Sequence, residues 1–506
     1  MHTLRFLLCT TKYEEQVMDQ RFRAAVHIHN VLVKHAKKLL NKLKYDKQYQ
    51  DFMKEYRYIL KKSKLSVKEK QRKNELSRQM KDIRIDLGLS EYAFQSYIKV
   101  CAKRYRKCLS SQQVQKEATR VWKGVEKVLF GNGNAIHFKR STDFKTICGK
   151  SNTNGVKFYK DSLSIEWIGL HIRCKSPKHS KDIDYVSESL DHDISYCEIE
   201  RKMFPNGWHF YVIVYLKEDA PHKIHPADKE NTMGIDIGTS TIAAVSEDKV
   251  ILKELAPKSK DYNQQINALL YHMDLSKRAL NPNKYHPDGT IKKHNHEKWR
   301  FSKTYLKNRN RLKSLYRKKS AYIKQSHEEL CRELLLDSVN FIVEDMSFQS
   351  LQRRAKKTER LKKPVKIKHK DGSVKTVCKY KRKKRFGRSL NHRSPAMLLM
   401  ILERKCNQYG GHLLKVDTMK FRASQYDHSM DIYTKVTLKD RDKLVNGKYV
   451  QRDLYSAFLL KNTNSDLNAP DRKKCIYGFD KFIMMQNELI NHMKANNISM
   501  KQCFGF

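Results

Sequence analysis

The chain has 506 residues, enough for two to four domains with ample core. Its 104 Lys and Arg stand against 54 Asp and Glu, a formal net charge of +50 that would repel itself in a lone compact protein, so a polyanionic partner is predicted. No apolar run approaches the ~18 to 20 residues of a spanning helix, and the stretch at Phe6-Leu7-Leu8 is too short for a signal peptide, which excludes the membrane classes and predicts a cytoplasmic, nucleoid-associated protein.

In chain order, Thr3 to Thr10 is β-prone, and Phe22, Ala25, Val26, Ile28, Val31, Leu32 and Val33 follow in a helical pattern. A lone N-terminal strand must join a sheet formed elsewhere, and residues 135 to 230 are its expected partner. Residues 46 to 128 read as helical and heavily basic, with Phe52, Tyr56, Ile59 and Leu60 on one amphipathic face and Ala93, Tyr97, Val100, Cys101 and Tyr105 on another. From 135 to 230 the pattern turns to short strands at 156–159, 164–168, 170–174, 197–202 and 208–215, with Asn206-Gly207 as a hairpin turn. Such spacing suits a small β-barrel. Pro221 to Pro226 reads as a linker.

The run Gly234-Ile235-Asp236-Ile237-Gly238-Thr239-Ser240, followed by apolar residues to Val245, predicts a hairpin with one carboxylate at the sheet centre. A carboxylate is rarely buried unless paired or metal-bound, so Asp236 calls for a cation. Residues 261 to 336 read as helical around a loop at 281–289, and Lys303, Lys307, Arg309, Arg311 and Arg317 crowd one long helix. Such a run is either a solvated face or a phosphate-contacting one, and the setting favours phosphate. Glu344 then closes the β-prone run Phe341-Ile342-Val343.

Residues 353 to 388 are too basic to pack as core, with 365–369 and 374–377 flanking an exposed hairpin turn. Within this stretch Lys381-Arg382-Lys383-Lys384-Arg385 reads as a localisation signal or a nucleic-acid patch, of which phosphate contact is favoured. A helix, a Gly410-Gly411 turn and a strand ending at Asp417 follow, and Asp417 reads as a turn residue before a fourth ligand. Asp453 opens a helix through Leu454, Ala457 and Phe458. Asp236, Glu344 and Asp453 can converge on one side of a mixed sheet, where three carboxylates suit two hard cations about 4 Å apart that activate water at a phosphodiester.

Three stretches, Gly234-Ile235-Asp236-Ile237-Gly238, Val343-Glu344-Asp345-Met346 and Arg452-Asp453-Leu454 with Ala457, resemble the TnpB proteins encoded by transposons and the related compact type V CRISPR effectors. The resemblance spans roughly residues 1 to 465. It implies an α/β RNase H-like (RuvC) nuclease domain, at 231–465, plus an N-terminal β-barrel wedge, at 1–45 and 129–230, with an inserted helical recognition lobe at 46–128. A basic helical tail, 466–506, is left without assigned chemistry. The implied partners are a guide RNA with a structured scaffold and target double-stranded DNA. Asp236, Glu344 and Asp453 carry over as catalytic and metal ligands for two Mg²⁺, with Mn²⁺ as a substitute.

Members of that family usually carry a four-cysteine zinc ribbon before the last carboxylate. Here Phe421 to His428 keeps Ser424 and Gln425, while residues 407–474 hold no cysteine, so no thiolate zinc site is expected there and the ribbon is either lost or replaced by a metal-free hairpin around Val445-Asn446-Gly447-Lys448. The eleven cysteines show no CxxC pair and read as reduced thiols. The resulting expectation is an RNA-guided, Mg-dependent DNA endonuclease that cuts beside a short adjacent motif. Its rivals are a guided repressor that no longer cuts and an unguided RNase H-like transposase or resolvase.

Overall fold

A computed structural model describes residues 1–62, 65–204, 206–222, 231–292, 294–352, 364–368, 374–377, 386–435, 437, 440–501 and 503–506. The chain divides into two compact units, Met1–Pro221 and His222–Phe506, so the boundary falls in the expected linker, of which residues 223–226 lie outside the described residues.

In the first unit the N-terminal strand β1 (His2–Leu7) is followed by the long helix α1 (Lys12–Tyr45), which Thr11 and Glu14 start with a reciprocal capping box. Then come α2 (Lys47–Leu60), α3 (Val67–Asp86), α4 (Glu91–Ala102) and α5 (Ser111–Leu129). The strands β2 (Thr146–Cys148), β3 (Val156–Tyr159), β4 (Ser164–Trp167) and β5 (Leu170–Arg173) precede α6 (Ser180–Leu190), β6 (Ile194–Phe204) and β7 (Gly207–Leu216).

As the sequence requires, β1 finds its partner far along the chain and pairs antiparallel with β7. The strands form two sheets, β1-β7-β6-β2 and β3-β4-β5, rather than one closed barrel. Among the described residues a single bridge, Leu8 to Cys174, joins them at one edge, and the Ser/Asn/Gly-rich loop 149–155 separates β2 from β3. The short helix α6 and strand β2 carry patterns too brief for the sequence reading, which missed both. The basic helical region is also less separate than expected. Helices α1, α4 and α5 bury Phe22, Phe94 and Val121 in the same core as Phe144, Ile199 and Phe210, while α2 and α3 bury only Tyr49, Ile59, Leu76 and Met80.

The second unit is built on a five-stranded mixed sheet. Its strands are β8 (Thr232–Ile237), β9 (Thr241–Val245), β10 (Val250–Glu254), β11 (Asn340–Glu344) and, later in the chain, β14 (Leu413–Val416), in the order β10-β9-β8-β11-β14. The first three run antiparallel as hairpins, and β8, β11 and β14 run parallel. The helices α7 (Ser259–Ala279) and α8 (Lys303–Leu335) come between β10 and β11. After β11 lie α9 (Phe348–Gln352), the paired strands β12 (Val365–Lys368) and β13 (Val374–Val377), α10 (Gly387–Arg393) and α11 (Pro395–Gln408). The expected hairpin arm is therefore present in its strands. Its turn, 369–373, lies outside the described residues.

After β14 the chain forms α12 (Thr418–Phe421), the short pair β15 (Tyr426–Asp427) and β16 (Ile432–Tyr433), and the hairpin β17 (Asp442–Val445) and β18 (Lys448–Gln451) where the cysteine-free replacement was expected. Helices α13 (Arg452–Lys461) and α14 (Arg472–Ala495) complete the unit.

Period-two alternation decides the layers. Met233, Ile235 and Ile237 of β8, with Phe341 and Val343 of β11, face a core shared with Leu334 of α8 and Leu402 of α11. Their alternates, including Ile342, face a second core with Phe458 of α13 and Phe482 of α14. That second core corrects the separation of residues 466–506 as a tail. Phe479, Phe482 and the near-terminal Phe504 are 3%, 1% and 2% exposed, because the apolar stripe of α14 has α13 to cover it.

Candidate active site

The alternation that sends Ile235 and Val343 to one core sends Asp236 and Glu344 to the other face, beneath α13. Ile342 lies level with Gly234 in the parallel register, which brings Glu344 beside Asp236 at the C-terminal ends of two adjacent strands. Gly234 sets how close the helix comes. A methyl group there would overlap the Ala457 carbonyl oxygen and the Lys461 amide nitrogen, so only glycine lets α13 lie directly on β8. In the first turn of α13 sits Asp453.

All three carboxylates line one cavity of about 280 Å³, walled also by Thr239, Ser240, Phe386, Ser424, Arg441, Arg452 and Cys503. Burial pushes the Asp236 carboxyl well above the usual range, and the neighbouring charges of Asp453 and Glu344 add to the shift, against smaller opposing effects of Arg452 and Arg441. Burial also raises Glu344, partly offset by a hydrogen bond from the Ala423 amide. Asp453 is differently placed. Arg452 Nη2 donates to its Oδ1 at 3.0 Å, and Arg441 Nη1 stands 3.6 Å from its Oδ2. Among the described residues no group of three or more His, Cys, Asp or Glu side chains is arranged to hold a metal ion. The donor chemistry nevertheless suits a hard divalent cation, because two of the three acids face the cavity with their charge poorly compensated.

Arg441, Ser389 and Cys503 escape sequence reading. The Ser389 hydroxyl of α10 lies 2.5 Å from that of Ser240 and donates to the Thr239 carbonyl, so α10 buttresses the turn after Asp236. Arg452 and Ser424 stand in stretches the sequence singles out, but without an assigned role. Asp417 caps α12 by accepting from the Met419 amide, the turn reading.

Of the expected phosphate contacts, Lys303, Lys307, Arg309 and Arg311 are exposed on α8, while Arg317 is half-buried beside Ser314. Lys381, Arg382, Lys383, Lys384 and Arg385 lie outside the described residues. No helix among the described residues is long and apolar enough to cross a membrane.

No family model matches the chain, and no curated protein matches it. Among solved structures, a cryo-EM structure of a Cas12f1–sgRNA–target DNA complex aligns with 92% of this chain and 99% of that one, at 13% identity and a TM-score of 0.45. A CRISPR–Cas12f ternary complex aligns over 89% and 82%, at 11% identity and a TM-score of 0.27. Likeness at that level carries no assignment, and the fold stands on its own strand order and pairing.

Proposed function

We propose that this chain is an RNA-guided, divalent-metal-dependent DNA endonuclease with an RNase H-like nuclease domain. The observation that carries the reading is the placement of Asp236 and Glu344 at the ends of adjacent parallel strands, under the helix that brings Asp453, in one cavity. A sheet of three antiparallel strands continued by two parallel ones is consistent with the RNase H-like domain that the motifs imply. Asp236, Glu344 and Asp453 would hold the metal ions, Mg²⁺ in the cell. When bound, these supply an activated water and stabilise the leaving oxygen of a phosphodiester.

The chain's own groups do the rest. Among the described residues Arg452 and Arg441 only partly offset the burial of Asp236, and the buttressed turn at Thr239 and Ser240 keeps Asp236 at the cavity wall. The exposed cations of α8 offer sequence-independent contacts to backbone phosphates. Sequence choice is assigned to guide pairing, with a guide RNA and double-stranded DNA as the partners, since the +50 charge suits a polyanion and the sequence motifs resemble a guided family.

The test is cleavage and binding side by side. Asp236→Asn should cut target DNA at less than about a thousandth of the wild-type rate, roughly 4 kcal/mol of barrier, while guide-dependent DNA binding stays within about twofold. Equal loss of both would remove the metal-ligand role from Asp236. One observation favours a second reading, a guided DNA binder that does not cut: Arg452 and Arg441 already engage Asp453. Wild-type protein that binds guided DNA and leaves it whole in Mg²⁺ and Mn²⁺ would establish that alternative.

A further inference from the structure

Helix α14 is tied to the first turn of α13 through two buried carboxamides. Gln486 of α14 and Gln451, the residue before α13, are each 1% exposed. The Gln486 side chain accepts from the Gln451 amide at 2.9 Å and donates to the Tyr449 carbonyl at 3.2 Å. Bonding the N–H of one residue and the C=O of the residue two before it is what a parallel neighbouring strand does, so a single side chain stands in for a strand at the edge of β18. Gln451 passes the constraint on. Its Oε1 accepts from the Leu454 amide at 2.7 Å and caps α13, and its Nε2 donates to the Cys503 carbonyl at 3.4 Å. Asp453 sits between the capping residue and the capped amide.

A second fastening lies on the same helices. Arg472 of α14 donates to the carbonyls of His428 and Ser429, and the His428 ring and amide meet the Tyr455 hydroxyl of α13. Apolar contact alone would hold α14 on the unit, since Phe458 and Phe482 stack at 4.6 Å. Burying two carboxamides costs desolvation that leucine or methionine would avoid. What the amides add is direction. They set the height and rotation of the corner from which Asp453 projects.

We propose that Gln486 and Gln451 are positioning residues for the third carboxylate, and that α14 thereby belongs to the nuclease machinery. The inference rests on the nuclease reading above. Neither residue touches the metal ligands' carboxylates, so their effect is on geometry, as with groups that orient a metal ligand from behind.

The test uses the full chain. Gln486→Met keeps length and apolar volume and removes both hydrogen bonds. Its melting temperature should fall by a few degrees, because the Gln451 amide and the Tyr449 carbonyl lose their partner, while backbone amide exchange accelerates across residues 449–454. Calorimetric Mn²⁺ affinity should fall about tenfold, the low end for losing an orienting partner, with the Mg²⁺ midpoint for cleavage rising in proportion and guided DNA binding unchanged. Gln451→Leu cuts the same chain at its next link and should reproduce the shift. Unchanged exchange and unchanged Mn²⁺ affinity in both variants would overturn the inference alone. A wild-type Mn²⁺ signal that Asp236→Asn leaves intact would overturn the nuclease reading, and this inference with it.

Discussion

Buried charge is treated in opposite ways in the two units. In the first, Arg201 has no exposed side-chain surface, yet every arm of its guanidinium is engaged. Nε donates to the Phe144 carbonyl, Nη1 to Asp19 at 2.7 Å and Nη2 to Ser141, with Phe22 and Trp208 on its faces. His29 likewise meets Glu117 at 2.6 Å, and Arg120 joins the same carboxylate. In the second unit, Asp236 and Glu344 are burdened by burial, and the two nearby arginines go to Asp453. The first arrangement pairs the Arg201 and Glu117 charges within the chain and is structural. Among the described residues the second leaves the burial of Asp236 and Glu344 only partly offset and is suited to cations from outside.

Breaking the completed network should cost most. Arg201→Met strands the Phe144 and Ser141 carbonyls and is expected to destabilise the first unit by about 3 kcal/mol in urea unfolding, without altering the metal dependence of cleavage. Gly234→Ala should follow at about 2 kcal/mol, since a methyl group forces α13 away from β8. Unlike Arg201→Met, it should also reduce cleavage by moving Asp453, and intact cleavage at matched stability would show that the close approach serves packing alone.

The leftover charge gives the next effect. The folded-state pKa values of Asp236 and Glu344 lie above the unfolded values of about 3.9 and 4.3, so their contribution is fully present below those values and is lost as pH rises through the folded ones. Metal-free protein should therefore lose thermal stability from this pair as pH climbs toward neutrality. Asp236→Asn should melt several degrees higher than wild type at pH 7 and level with it near pH 4. Equal melting curves at both pH values would mean that the charge is compensated after all.

The smallest expected effect concerns charge on the surface. Changing Lys307, Arg309 and Arg311 to Gln should leave stability alone and lower the slope of log affinity against log salt by about three, one per phosphate contact. An unchanged slope would make those three side chains of α8 merely solvated.

Much of this site was legible locally. The alternation around Asp236 and Glu344 is written in consecutive residues, and so is the helical spacing after Asp453, because strand and helix periods act over a few positions. Local signals also marked the hairpins at Asn206-Gly207 and Asn446-Gly447 and the distant pairing demanded by a lone N-terminal strand. Arg441, Ser389, Cys503 and Gln486 had no such signal. Each meets the cavity or its supports through packing between segments far apart in the chain, where nothing periodic marks the partner. The sequence by itself determined which acids stand where on their elements and the excess of positive charge. Only tertiary structure decided that Gly234 admits α13, that guanidiniums take Asp453 and that the last helix completes the core, because burial and hydrogen-bond partners exist only once the segments have packed.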